Sequence, residues 1–167
     1  AACPYYKDAK DALNFVNRVA SNSDKPDLIL LHQGINGAKI NCSFVSENIE
    51  DALNPNDLPK NQLIVSGHYH RPQWVTENIL IPGSPLAHSF SDIDSDRGFW
   101  KLEFGSMYLS QWKLTKAEFI NLQMPKFIKI SPGELDKMKD IKGHYVHLVL
   151  PDNVKQKTLD HLHKTLS

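Results

Sequence analysis

The chain has 167 residues, of which 41% are hydrophobic, enough for one compact domain or for one domain and part of another. Lys+Arg and Asp+Glu stand at 19 each, so no net field draws the whole molecule to nucleic acid or to an anionic membrane. Two cysteines, Cys3 and Cys42, are too few for a disulfide framework or a Cys-based zinc site, and a reducing, cytoplasmic setting is expected.

Asp8 to Asn22 reads as an amphipathic helix. Ala9, Ala12, Leu13, Val16 and Val19 recur at three- and four-residue spacing, with Lys10, Asp11, Asn14 and Arg18 opposite. Ser23-Asp24-Lys25-Pro26 ends it. Asp27–His32 is a short continuous apolar run, the pattern of a strand buried on both faces. A Gly-containing loop, His32–Gly37, leaves its end. Ser46–Pro59 is polar and turn-rich, with weak helical character over Ser46–Leu53. Gln62–Ser66 repeats the buried-strand theme and closes on Gly67-His68-Tyr69-His70.

Trp74–Thr76, Ile79–Ile81, Gly98–Phe104 and Met107–Leu114 then read as successive antiparallel strands, with Gly105-Ser106 as a hairpin turn. Organisation changes at Asn121–Pro125. Beyond it come a strand over Lys126–Ile130, a helix over Pro132–Asp140, a strand over His144–Leu150 and a helix over Val154–Leu166. Residues 1–120 are therefore expected as one α/β unit and residues 121–167 as a smaller βαβα unit. The longest apolar run, Leu28–Leu31, is far too short to span a bilayer.

Eight histidines stand out in a neutral chain. His68 and His70 flank a single residue directly after a strand and a glycine, so both imidazoles can reach the same side and serve neighbouring metal ions. Gly67 permits the close backbone approach of such a turn. His32 occupies the matching place on the other buried strand, so the three can converge at one edge of a sheet.

The order Leu30-Leu31-His32-Gln33, then Ile64–Gln73 with its Gly67-His68-Tyr69-His70, then Ile81-Pro82-Gly83-Ser84-Pro85-Leu86 resembles the second half of a calcineurin-like metallophosphoesterase. The Gly-Ser-Pro-Leu segment, Ser89-Phe90-Ser91-Asp92 and Arg97-Gly98-Phe99-Trp100 are most similar to the SbcD-type DNA-repair nuclease subunits of that superfamily. The resemblance covers roughly residues 27–104. It implies an α/β fold: part of a two-sheet sandwich followed by a small capping unit that begins near Pro125. It assigns His32 and His68 to one ion of a two-metal centre and His70 to the other, with Mn²⁺ preferred. Tyr69, Arg71, Gly83 and Ser84 would face the substrate. DNA is the implied substrate, and an SbcC-type, SMC-like ATPase the implied partner.

The family's Asp-x-His, Gly-Asp and Gly-Asn-His motifs do not occur. The general-acid His and the bridging Asp are therefore expected upstream, and the chain on its own is expected to be inactive or nearly so. Two rival functions stay open. One is a metallophosphatase acting on small molecules or phosphoproteins; the other is a non-catalytic binding module with a degenerate site.

Other clusters carry bland readings. Asp92-x-Asp94-x-Asp96 with Glu103 has calcium-loop spacing, but Arg97 stands where Gly is needed, so a solvated acidic turn is expected. His161 and His163 fall on different helix faces. His144 shares a strand face with Val146 and Leu148. His88 is close enough to Gly83-Ser84 to reach the site but is not expected among the ligands. Arg71, Lys39 and Arg97 could meet phosphates, or serve equally well as surface cations. Trp74, Trp100 and Trp112 are expected in the core.

Overall fold

The computed structural model describes residues 1–40, 44–93, 95–106, 112–135 and 141–166. Helix α1 (Ala9–Ala20) is capped by Asp8, whose carboxylate accepts from the Lys10 N–H at 2.8 Å, and it buries Ala12 and Val16. Strands β1 (Leu28–Leu31), β4 (Leu63–Ser66), β5 (Gln73–Thr76) and β6 (Ile79–Ile81) make a four-stranded sheet in the order β1-β4-β6-β5. Two short strands, β2 (Gly34–Ile35) and β3 (Ala52–Leu53), pair in parallel beside α1. Ile29, Ile35, Ile64, Ile79 and Ile81 are fully buried and join Ala12 and Val16 in the main core.

The sheet is mixed rather than antiparallel. β4 pairs in parallel with β1 on one side, Leu31 opposite Ser66, and with β6 on the other, Val65 opposite Leu80. Only β5 runs against β6, as the first arm of a hairpin that turns at Glu77-Asn78. Asn78 ties that turn down: its side-chain amide donates to Pro59 O at 2.8 Å and Gln62 O at 3.0 Å. Ile79–Ile81 is therefore antiparallel to Trp74–Thr76, as expected, but is an interior strand whose other neighbour, β4, runs parallel to it.

β1 is buried on one face only. Ile29 and Leu31 are buried while Leu30 is 44% exposed, and the outer edge of the strand is paired by the N-terminal residues, with Cys3 N donating to Leu30 O at 2.8 Å. Ser46–Leu53 is not helical. The Ser46 hydroxyl is buried and donates to Ile35 O at 2.7 Å, which pins the chain where it enters the turn before β3.

β7 (Gly98–Ser106) and β8 (Trp112–Asn121) form a long antiparallel hairpin. Gly105-Ser106 belongs to β7 and is not its turn; the expected start of the second strand, from Met107 to Gln111, lies outside the described residues. Trp100 packs on Trp74 at 6.0 Å and on Phe119 at 5.3 Å, but both tryptophans are only partly buried and lie outside the two core clusters, and Trp112 is 54% exposed.

β9 (Phe127–Ile130), α2 (Pro132–Leu135), β10 (Tyr145–Leu148) and α3 (Gln156–Leu166) follow in that order. The remainder of the helix expected to Asp140 lies outside the described residues. β9 and β10 are parallel, and Ile130 and Leu162 centre a small second core. The chain is mixed α/β, with one four-stranded sheet and three two-stranded ones among the described residues. No helix among the described residues is long and apolar enough to cross a membrane.

Candidate functional site

Because β1, β4 and β6 are parallel and in step, their C-terminal ends deliver three loops to one edge of the sheet. β1 delivers His32, β4 delivers Gly67–His70, and β6 delivers Pro82–Ser84. The first two loops are locked together by Ser66. Its buried hydroxyl accepts from Gln33 N at 3.0 Å and donates to Gln33 O at 2.6 Å, and Gly67 N donates to Leu31 O at 3.2 Å. A Cβ on Gly67 would sit 3.2 Å from His32 Nδ1, so the missing side chain there makes room for the His32 ring.

His32 and His68 are both exposed, with ring centres 5.8 Å apart and planes nearly perpendicular. Partial burial lowers the His68 pKa from its ordinary 6.5, and the charges of His32 and His70 lower it further. An imidazole kept neutral presents a lone pair, which is the form that binds metal. Tyr69 lies between the two motif histidines in sequence, but its side chain is buried in the main core.

His70 is held by a second set of groups. Its carbonyl accepts from Ser84 N at 2.9 Å and from Arg97 Nη1 at 2.6 Å. Gly83 has φ +78, and a Cβ there would stand 2.7 Å from Pro72 N and 2.9 Å from His70 O. That position is therefore glycine for both conformation and space. Half-exposed His70 turns Nδ1 towards Asp92 Oδ2 at 3.5 Å. Arg71 is partly exposed next to it, and its carbonyl accepts from Gln73 Nε2 at 3.1 Å.

Asp92 and Arg97 are not surface charges. They are 7% and 5% exposed and paired at 3.3 Å. Asp92 Oδ2 also accepts from His88 N at 2.8 Å, and the Arg97 guanidinium donates to Asp92 O at 3.0 Å. Burial alone would raise the Asp92 pKa, but the His88 N–H, the Arg97 charge and His70 outweigh it and hold the carboxyl below its usual range. An ionised carboxylate behind an imidazole fixes the ring and its tautomer, as the outer partners of metal-binding histidines do. Asp94, from the same expected acidic turn, lies outside the described residues.

His88 joins the site as well. Its ring centre is 4.9 Å from that of His70, and its Nε2 is 2.8 Å from Ser84 Oγ. Four imidazoles thus line the edge as two pairs, His32 with His68 and His70 with His88. The donors suit a divalent transition-metal ion. Their number does not complete one, since no group of three His, Cys, Asp or Glu close enough to hold an ion occurs among the described residues. His144 is placed apart, its Nδ1 accepting from Lys126 N at 3.0 Å, and Lys39 is exposed, bound through its backbone to Gln73. His161 is exposed.

No family model matches the chain. Over 121 residues, 67% of the chain, it is 30% identical to "Putative phosphoesterase 078R" of Invertebrate iridescent virus 3. It spans about 30% of that viral protein's length. The similarity is thus to a phosphoesterase-type protein, and it carries nothing finer about substrate, metal or partner.

Proposed function

We propose that this chain supplies the histidine-bearing edge of a metal-dependent phosphodiesterase that acts on DNA, of the SbcD type within the metallophosphoesterases. The observation that carries this reading is the in-step ending of β1 and β4, which sets His32 beside His68 and leaves His70 on the same loop. The likeness to a viral protein named as a phosphoesterase supports the chemistry at the level of phosphoester hydrolysis. In this reading His32 and His68 ligate one divalent ion and His70 a second, with Mn²⁺ the preferred metal. A pair of such ions activates water and neutralises the developing charge on a phosphodiester. The carboxylates that bridge and complete the pair come from outside the described residues. In this reading Gly83 and Ser84 shape the loop beside the ions, and Arg71, next to His70, would meet a phosphate. The β9–α3 unit is the start of a capping domain over DNA, and an SbcC-type ATPase is the partner of the whole assembly, in the reducing cytoplasm.

The test assays the full-length protein on linear double-stranded DNA and on p-nitrophenyl phosphate, with and without Mn²⁺. Metal-dependent DNA cleavage, reduced at least about a hundredfold by His68→Ala, is expected. Hydrolysis of the small phosphoester alone would transfer the function to a metallophosphatase. Loss of neither activity in His68→Ala would remove the metal assignment altogether.

A further inference from the structure

We infer that His88 is a metal ligand and shares one divalent ion with His70, an inference that rests on the reading of His70 as a ligand. The sequence puts His88 within reach of Gly83-Ser84 without marking it as a ligand; it is the fold that brings its ring to His70. Two imidazoles on one ion, each with a metal–nitrogen bond of about 2.0–2.1 Å, hold their ring centres roughly 4.5 Å apart at a right angle and roughly 5.2 Å apart at the tetrahedral angle. The His70 and His88 rings are 4.9 Å apart, between those limits, and tilted by 42°. The His32 and His68 rings, at 5.8 Å, are wider than either.

Each ring also has one nitrogen committed to the protein and one left over. The Ser84 hydroxyl has a single proton, and its shortest contact is to Leu86 O at 2.6 Å. With that proton on Leu86 O, the 2.8 Å contact to His88 is a bond donated by Nε2–H. Nδ1 of His88 then carries a lone pair. His70 is the mirror case: Nδ1 faces the Asp92 carboxylate, itself paired with Arg97, at 3.5 Å, which favours the tautomer with the proton on Nδ1 and the lone pair on Nε2. Asp92 Oδ2 serves both residues, because it faces the His70 ring and also accepts the His88 backbone N–H at 2.8 Å. One carboxylate therefore sets the relation between the two histidines. With Arg97 gripping the His70 carbonyl, the pair is held before any ion arrives. Two protein ligands leave the remaining positions to water, a phosphate oxygen or carboxylates from beyond the described residues.

The experiment is a Co²⁺ titration of the chain followed by calorimetry and by visible absorption, which reports the ligand set directly. The variants are His88→Ala, His70→Ala, the double variant, Ser84→Ala and His32→Ala/His68→Ala, with circular dichroism to confirm folding. His88→Ala and His70→Ala are each expected to weaken the same binding event by at least about tenfold. The double variant should bind more weakly than either single but by less than the product of the two single factors, because both remove ligands of one ion. Ser84→Ala, which keeps both rings and loses the hydroxyl's bonds to His88 Nε2 and to the Leu86 backbone, should weaken it by a smaller factor. His32→Ala/His68→Ala should leave this event in place. Wild-type affinity and spectrum in His88→Ala, with the event lost in His70→Ala, overturns the role of His88 and leaves the reading of His70 standing. Absence of Co²⁺ binding by the wild-type chain overturns both.

Discussion

Asp92→Asn is the most informative single perturbation, because it keeps the shape of the site and removes one charge. The Arg97 side chain is 5% exposed and Asp92 is its only ion-pair partner among the described residues. Its Nε is buried with no hydrogen-bond partner among them. Breaking a buried pair from one side costs about 3–5 kcal/mol, since the remaining charge stays desolvated. Arg97 keeps two carbonyl acceptors, His70 O and Asp92 O, which spread its charge, so the low end, about 3 kcal/mol, is expected. Urea unfolding measures it, in a cycle with Arg97→Met and the double variant. Removing both charges leaves neither stranded, so the double variant should be more stable than the two single costs predict, by about 2 kcal/mol. The pH dependence has a definite sign. A carboxyl whose folded pKa is depressed stabilises fully above its ordinary value of 3.8 and loses that contribution as pH falls through the lower folded value. Asp92→Asn should therefore flatten the acid limb of the stability curve. A cost below about 1 kcal/mol, or single costs that add within about 0.5 kcal/mol, would refute the argument that the pair is buried and mutually dependent.

His68 should titrate below 6.5 by NMR of its Cε1 proton, and His32→Ala should move it part of the way back. Since the unfolded imidazole takes up its proton first, stability should fall as pH drops below 6.5 and through the lower folded value, and His68→Gln should remove that slope. Gly83→Ala forces a Cβ against Pro72 N and His70 O at a positive φ; a loss of about 2 kcal/mol or more in denaturant melts, with displaced His70 and His88 resonances, is expected. Ile64→Ala, fully buried between β1 and β6, should cost about 3–4 kcal/mol in the same melts while Co²⁺ stoichiometry stays unchanged.

What was legible in the sequence was what local hydrophobicity encodes. The α1 stripe, the apolar runs of β1 and β4, and the β9–α2–β10–α3 order appear in the fold close to where periodicity puts them. Leu30 misleads because an apolar residue on an edge-facing surface looks the same in sequence as one in a core. Ser46–Leu53 misleads because its structure is set by tertiary hydrogen bonds, the Ser46 hydroxyl to Ile35 O and the Asn36 amide to Ile49 O and Ala52 O, which leave no periodic trace. Asp92 and Arg97 read as solvated for a related reason. Charge in a sequence implies exposure unless a partner is known, and spacing alone does not reveal that these two pair with each other beneath His70.

The direction of β6 explains why Asp92 and Arg97 were not placed beneath His70 in advance, and why His88, within reach of Gly83-Ser84 by sequence, was not expected among the ligands. Read as one step in an antiparallel series, Ile79–Ile81 gives no reason to end beside β4. In the fold β6 slips between β4 and β5 and runs parallel to β4. Gly83 and Ser84 are thereby carried to the His70 carbonyl. The chain that follows has to turn back over the same edge, which brings His88 and Asp92 to His70 within a few residues. The histidines of β1 and β4 were visible because their motif is local. Their supporting groups were not, because strand direction was the missing variable, and direction is fixed by which buried isoleucines find each other across the sheet.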